Sequence, residues 1–229
     1  MTKKTKKVIL FIVEGPTEES ALGPILKKLY QSENVRFHVV SGDLTSEHST
    51  TSSNVVAKIN ERIKKEMDSY GYRSSDIMRV VHIIDTDGAF IPDNQIIQGA
   101  EDDIHYEDDC IIACDINRIQ NRNQKKKAVL LRLYIHSSIG SIPYSVYYFS
   151  RNMEHVLHDR SGSLNGREKM NCADAFAQKY KDSTNDFLEF ITKSSFAVQE
   201  GYLDSWKFIF RDTNSLHRFC NLHILFAEK

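Results

Sequence analysis

The sequence lacks an excess of either charge, long apolar segments and the cysteine spacing of a zinc site. Its 229 residues include 30 Lys and Arg against 31 Asp and Glu, so the formal net charge is −1. A near-neutral chain does not hold a polyanion through bulk positive charge, so any contact with nucleic acid must be local or metal-mediated. With 41% hydrophobic residues, the chain has the composition of an ordinary globular protein with a proper core.

No apolar stretch approaches the length of a membrane-spanning helix. The apolar stretch nearest the start, Val8 to Val13, is also shorter than the core of a signal peptide. We therefore expect a cytoplasmic protein without membrane contact. The four cysteines have no CxxC spacing, and an intracellular chain of this size needs no disulfide frame. Cys110 and Cys114 are four residues apart; we interpret them as buried thiols, since a metal site would need two more ligands.

Two continuous apolar runs are each followed by acidic residues. Lys7 to Val13, KVILFIV, leads into Glu14, and Arg79 to Ile84, RVVHII, leads into Asp85-Thr86-Asp87-Gly88. Runs of this type predict central strands that are covered on both faces. Helical patterns lie between the two runs, and this alternation of strand and helix is typical of a parallel, doubly wound sheet.

The remaining pattern predicts a mostly parallel α/β sheet flanked by helices, with a helical C-terminal part. We expect residues 1–150 to form the α/β core and residues 151–229 to form a mainly helical extension packed on it. The individual predictions are a helix after the N-cap Thr17, a strand over Val35 to Val40, a loop over Ser41 to Ser53, a helix over Asn54 to Ser69, a partly helical Ile111 to His136, and a strand over Tyr144 to Phe149. The basic run Lys125 to Lys127 reads as a solvated helical face, with a phosphate contact as the alternative.

The acidic residues predict a metal site. Ligands of open parallel sheets bind beyond the carboxyl ends of the strands, where Glu14, Asp85 and Asp87 are expected to meet. Three hard oxygen donors suit Mg²⁺ or Mn²⁺, and without a cation their mutual repulsion would raise their pKa values. Glu18 lies in the first turn of the predicted helix, where it is either a ligand for a second metal or an acid favoured by the helix dipole.

The two motifs resemble the Toprim domain, which bacterial primases, topoisomerases and several nucleases share. VEGPTEE with HIIDTDG is most similar to the OLD, RloB and AbiL-type phage-defence proteins, best from Lys7 to about Phe90. The likeness continues more weakly through YYFSRNMEHVL to Glu154. The resemblance implies a Toprim-like, Rossmann-like fold in which Glu14, Asp85 and Asp87 hold one metal, and Glu18, with Glu154, holds a second.

The same resemblance implies a metal-dependent nuclease of DNA or RNA, serving as the effector of a bacterial antiviral defence system. Its catalytic residues would be Glu14, Glu18, Asp85 and Asp87. The chain has no Walker A motif, GxxxxGK[ST], so a partner ATPase would be a separate subunit, and a homodimer is common among related proteins. A basic residue is expected near the scissile phosphate; the candidates are Arg151, Arg167, Lys169 and Lys207.

Simpler interpretations exist for each motif. An Asp-x-Asp-Gly sequence also occurs in surface turns, and only its pairing with a second acidic strand end favours a metal site. Glu154 can be a helix-start acid, and His82 is expected to be a core histidine. The alternative function is a non-catalytic Toprim-like module that binds a nucleotide, a phosphate or a partner protein.

Overall fold

The described chain is a three-layer arrangement of helix, sheet and helix. The computed structural model describes residues 7–31, 34–39, 44–45 and 47–227, with the backbone alone for residues 37–39. The strands are β1 (Val8–Val13), β2 (Asn34–Val39), β3 (Ile77–Asp85), β4 (Ile96–Gln98), β5 (His105–Tyr106), β6 (Ile111–Ala113), β7 (Ser138–Ile139) and β8 (Ile142–Phe149). The α-helices are α1 (Pro16–Leu29), α2 (Val55–Tyr70), α3 (Ile116–Leu133), α4 (Met153–His158), α5 (Gly166–Tyr180), α6 (Thr184–Lys193), α7 (Tyr202–Ile209) and α8 (Ile224–Ala227). Among these described helices, none is long and apolar enough to cross a bilayer.

The main sheet has the strand order β2-β1-β3-β8-β7. Neighbouring strands from β2 to β8 are parallel, and β7 pairs antiparallel with β8. Because β1 lies between β2 and β3, the chain winds first to one side of β1 and then to the other. This doubly wound order places a switch point at the carboxyl ends of β1 and β3. The predicted α/β class, with a mostly parallel sheet flanked by helices, is confirmed.

Alternate residues of the central strands fill two hydrophobic cores. On one face, Ile9 and Phe11 of β1 pack with helices α1, α4, α5, α6 and α8. On the other face, Leu10 and Ile12 pack with α2, α3 and α7. Both faces of the strands are therefore buried, which explains why β1 and β3 are continuous apolar runs in the sequence.

Residues 151–227 contribute five helices, α4 to α8, to these same two cores. This part of the chain pairs with the sheet at Cys220, whose main chain forms isolated β-bridges with Phe149 and Ala197. Next to it, Asn221 Oδ1 accepts a hydrogen bond of 2.8 Å from the Tyr148 N–H. The C-terminal part is therefore joined to the sheet by main-chain pairing as well as by apolar packing.

A small second sheet interrupts the alternation after β3. Its strand order is β4-β6-β5, and it packs around the buried side chains of Ile91, Ile111 and Leu216. The region predicted to be partly helical between 111 and 136 accordingly begins with β6 before α3 starts. Very short strands of two or three residues carry too little periodicity to be recognised in a sequence.

Several local predictions need correction. The N-cap of α1 is Gly15 and not Thr17, because Gly15 has extended backbone and Pro16 occupies the first helical position, where no N–H is needed. The predicted loop from 41 to 53 lies partly outside the described residues. Of the two cysteines predicted to be buried, Cys110 is buried, but Cys114 is partly exposed.

His82 is a core histidine, as predicted. It is 1% exposed within β3, and its Nδ1 lies 2.8 Å from the Tyr144 hydroxyl. A buried imidazole with a hydrogen-bond partner has a structural explanation. His82 therefore plays no part in the site described below.

Gly88 follows β3, and substitution of this residue tests how closely the acidic turn is packed. Its φ is +65°, and a Cβ atom there would lie 2.6 Å from Cδ2 of the buried Leu216. We expect Gly88→Ala to lower the free energy of unfolding by roughly 2–4 kcal/mol, through backbone strain and overpacking.

Gly140 provides the matched control, because its φ is +60° and a Cβ atom there would meet Asn60 Oδ1 only at 3.9 Å. Gly140→Ala should therefore cost about 1 kcal/mol, from backbone strain alone. Urea denaturation measures both variants. Equal losses would contradict the tight packing around Gly88.

Candidate functional site

Glu14 and Asp85 lie at the switch point of the sheet. Ile12 of β1 is paired with His82 of β3, so Glu14 falls two residues beyond that pair, level with Ile84 and one residue from Asp85. Both acids are partly buried. The predicted meeting of the two acidic motifs at one edge of the sheet therefore follows from the observed register.

The acidic turn after β3 is held by the main chain that leaves β8. The Thr86 N–H donates to Phe149 O, and the Asp87 N–H donates to Arg151 O, each at 2.9 Å. In return, the Arg151 N–H donates to Thr86 Oγ1 at 3.2 Å. Asp87 and Arg151 both have left-handed backbone, with φ of 49° and 55°, which these bonds maintain. The turn is part of the sheet edge, unlike a free surface turn.

Four acidic side chains lie close enough to influence one another at this edge. Burial raises the pKa of Asp85 well above its usual value. The charges of Glu18, Asp87 and Glu154 raise that pKa further, whereas the charge of Lys126 lowers it. The structure thus brings four of the five predicted acids into one electrostatic group, and the register places the fifth at the neighbouring strand end.

Glu18 has both of the roles that the sequence left open. Its Oε2 accepts hydrogen bonds from the Gly15 N–H at 3.0 Å and from the Thr17 hydroxyl at 3.2 Å, so it caps the start of α1. The side chain is nevertheless only 6% exposed. Burial raises its pKa, and the charge of Glu154 adds to the increase. Glu18 is a capping residue that also belongs to the acidic group.

Glu154 lies in the first turn of α4, and Asn152 caps this helix by accepting the His155 N–H at 2.8 Å. Glu154 is 3% exposed, and its Oε2 lies 3.8 Å from Lys169 Nζ. An acid that only marked the start of a helix would be exposed to solvent, whereas Glu154 is buried. Its position and its effect on Asp85 place Glu154 in the acidic group.

Lys126 is the residue that the sequence analysis missed. The run from Lys125 to Lys127 was predicted to be solvated, which is wrong for Lys126: its side chain is fully buried, and Nζ lies 2.5 Å from Asp87 Oδ2. A signal was present, because Lys126 lies at helical spacing from Ile119 and Leu130 on the buried face of α3. The ammonium of Lys126 supplies the positive charge nearest to the acids.

Two neighbours of Lys126 on α3 also support the acidic turn. Arg122 Nη2 donates to Asp87 O at 2.8 Å, and Arg122 Nη1 donates to the Tyr106 hydroxyl at 3.0 Å. The Asn123 side chain is buried and accepts from Arg122 Nε at 3.0 Å. Helix α3 therefore contacts both the main chain and the carboxylate of Asp87.

The structure separates the four basic candidates for a phosphate contact. Arg151 is buried beside the acidic turn, and Lys169 faces Glu154. Lys207 is exposed and pairs with Asp204 at 2.7 Å, and Arg167 is exposed at the start of α5. Only Arg151 and Lys169 lie beside the acidic group.

The acids have partners other than a metal in the present arrangement. In the part of the chain that the structure describes, no three His, Cys, Asp or Glu side chains are arranged to hold a metal ion together. Asp87 is paired with Lys126, and Glu18 is bound to its own helix. The donor set still fits a hard divalent cation in its chemistry, because carboxylates are the preferred ligands and the raised pKa values of Asp85 and Glu18 reflect burial and repulsion that a cation would relieve.

Removal of the Lys126 charge tests its role in balancing the acids. We expect Lys126→Met to lower the free energy of unfolding in EDTA by about 2–3 kcal/mol, because the charge of Asp87 loses its partner. We expect a smaller loss of stability than for a fully buried ion pair, since 29% of the Asp87 side chain is exposed. Lys127→Met, a half-buried position on the same helix, should change stability by about 0.5 kcal/mol or less. Similar losses in both variants, measured by urea denaturation, would refute this role.

The raised pKa of Asp85, caused first by burial, predicts a pH dependence of the metal-free protein. Below the ordinary value of 3.8, Asp85 is protonated in both the folded and the unfolded chain. At higher pH the unfolded chain loses the proton first, so the contribution of Asp85 to stability decreases until the folded-state pKa is reached. The stability of the wild type relative to Asp85→Asn should fall from about pH 4 upward in EDTA. Urea titrations at successive pH values that give a constant difference would argue against this shift.

Known proteins provide no further constraint on this site. No protein-family model matches the chain, and no curated protein or solved structure is significantly similar to it. The resemblance to the Toprim domain therefore stays a prediction from the two acidic motifs.

Proposed function

We propose that this protein is a metal-dependent nuclease that hydrolyses phosphodiester bonds in DNA or RNA. The observation that carries the proposal is the convergence of Glu18, Asp85, Asp87 and Glu154 at the switch point of a parallel sheet, with Glu14 at the adjacent strand end. Such a crevice is where open α/β sheets bind their ligands. A buried group of carboxylates has an electrostatic cost that a divalent cation would remove.

In this proposal, Glu14, Asp85 and Asp87 would hold one Mg²⁺ or Mn²⁺ ion, and Glu18 with Glu154 would hold a second. Bound metal ions supply an activated water and neutralise the charge that develops on the phosphate oxygens. The carboxylates would first exchange their present partners, above all the ammonium of Lys126 on Asp87.

Lys126 takes the place of the basic residue expected near the scissile phosphate. Its ammonium is paired with the carboxylate of Asp87 within the acidic group, and its side chain is fully buried. Once a metal ion has replaced it on Asp87, this ammonium would stabilise the negative charge that develops on the phosphate oxygens during hydrolysis of the diester. Arg122 would keep the turn of Asp87 in place through its bond to the main chain.

The biological role follows from the resemblance and remains a further part of the proposal. We infer that the protein is the effector of a bacterial antiviral defence system, and that a separate ATPase subunit controls it.

A non-catalytic module is the second candidate function, and a specific observation favours it. Asp87 is already neutralised by Lys126, and Glu18 already binds the start of its own helix. A protein with these internal partners would use the crevice to bind a nucleotide or phosphate, or to bind a partner, without turnover.

Incubation with plasmid DNA, single-stranded DNA and total tRNA distinguishes the two functions. We expect the wild type to cleave at least one of them in Mg²⁺ or Mn²⁺ and none in EDTA. Asp85→Asn should reduce the rate by roughly 100-fold or more, because charge stabilisation at the reacting phosphate is lost. Asp68→Asn removes an exposed acid of α2 and should leave the rate unchanged.

Circular dichroism must first establish that both variants are folded. Binding of these polymers without any cleavage, in every metal, would favour the non-catalytic module. Cleavage that survives Asp85→Asn would show a contaminating nuclease or a different catalytic site.

A further inference from the structure

A cavity of about 530 Å³ opens beside the acidic group. Its polar wall residues include Arg151, Asn152, Glu154, His155 and Lys169. Glu154 therefore belongs both to this cavity and to the acidic group at the switch point. The volume is in the range of pockets that hold a small organic ligand or one nucleotide.

Arg151 is the unusual residue of this wall. Its side chain is 3% exposed, and no carboxylate lies within ion-pair distance of its guanidinium among the residues that the structure describes. Arg151 Nη2 donates to Ser161 O at 2.5 Å, and the guanidinium lies 5.0 Å from the centre of the Tyr106 ring. Its Nε is buried without a hydrogen-bond partner in the described chain.

A buried cation without an anionic partner is unfavourable in a folded protein. Its neutral partners, a carbonyl and an aromatic face, offset only part of this cost. An anion in the cavity would supply the missing charge. The arrangement is therefore typical of a site that is completed by a ligand.

The wall carries charges of both signs, and its acids are Glu107, Asp108, Glu154 and Asp159. Lys169 keeps 39% of its side chain exposed, and its Nζ lies 3.8 Å from Oε2 of the buried Glu154. The nearby acids Glu107, Asp108 and Asp159 are exposed, so water screens them, and Asp159 is already paired with Arg218 at 3.3 Å. Glu154 has the ammonium of Lys169 beside it, so Arg151 is the buried charge of the wall that has no opposite charge within ion-pair distance in the described part of the chain.

The main chain places this cavity next to the candidate catalytic group. Arg151 O accepts the Asp87 N–H, so the residue whose side chain faces the cavity also holds the acidic turn. A strand with one phosphate at the acids would bring a neighbouring phosphate toward Arg151. The backbone of a flexible single strand can bend into a cavity of this size, whereas the rigid backbone of a duplex cannot.

We propose that this cavity binds a backbone phosphate of single-stranded nucleic acid through Arg151 and Lys169, adjacent to the phosphodiester that meets the carboxylates. The proposal rests on the nuclease proposed above and names its substrate class. Arg151 and Lys169 are binding residues here, and neither is assigned a part in bond cleavage.

Fluorescence anisotropy with labelled single-stranded DNA and RNA, in EDTA so that no cleavage occurs, tests this site. We expect Arg151→Gln and Lys169→Met each to raise the dissociation constant by about tenfold, the size of one charge-assisted contact. The slope of log affinity against log salt should fall by about 1 in each variant. Arg167→Met, an exposed position two residues from Lys169, is the matched control and should bind like the wild type.

Two further arms identify the ligand. A duplex of the same sequence should bind more weakly than the single strand and should be insensitive to Arg151→Gln. Adenosine monophosphate should compete poorly; competition as strong as that of the oligonucleotide would assign the cavity to a free nucleotide and overturn the proposal. Duplex binding that weakens equally in Arg151→Gln would overturn the single-strand assignment.

Thermal unfolding distinguishes a ligand-binding arginine from a structural one. Arg151→Gln removes an uncompensated buried charge, so its melting temperature should equal or exceed that of the wild type. A lower melting temperature together with normal binding by Lys169→Met would make Arg151 a structural residue and overturn the proposal.

The outcomes for the cavity and for the nuclease are separable. Cleavage by the wild type with unchanged binding in both cavity variants would refute the cavity site and leave the nuclease intact. Binding through Arg151 without any cleavage in metal would support the cavity site and favour the non-catalytic module over the nuclease. Absence of single-strand binding by the folded wild type would overturn the cavity proposal directly.

Discussion

The parallel pairing of β3 with β8 is the constraint on which the site depends. Because the two strands run in the same direction, their ends reach the same edge of the sheet, and the chain that leaves β8 passes directly beside the turn that leaves β3. Phe149 and Arg151 then accept hydrogen bonds from that turn through their carbonyl groups. The same exit leads into α4, which carries Glu154 to the acids. Without this pairing, neither the turn nor the fourth acid would be in place.

The negative charge at this edge is only partly balanced inside the protein. Burial of several carboxylates is unfavourable unless positive charge lies nearby, and the fully buried Lys126 supplies part of that charge by pairing with Asp87. Glu18 is stabilised in a different way, by donors at the start of its own helix. A cation that entered the group would therefore compete with groups of the protein itself. Its binding would depend on how readily Lys126 gives up Asp87.

The sequence predicted the elements with strong periodicity and the acids that follow them. Strands β1 and β3 were recognisable because strands that are buried on both faces are continuous apolar runs in the sequence. Glu14, Asp85 and Asp87 were recognisable because they lie at the ends of these runs. Lys126 escaped detection because a run of three lysines is usually solvated, and only the exact rotation of α3 turns one of them inward. The small sheet after β3 was not predicted, since its strands are too short to show alternation.

The main chain and the side chain of Arg151 have separate roles. The turn after β3 requires from this position only a carbonyl, an N–H and a left-handed backbone, and none of these depends on an arginine side chain. Asparagine, for example, adopts the same backbone more readily. Substitution of the side chain at position 151 would therefore leave the contacts of the acidic turn in place. Sequence drift at this position would alter what the cavity accepts, while the carboxylates next to it kept their arrangement.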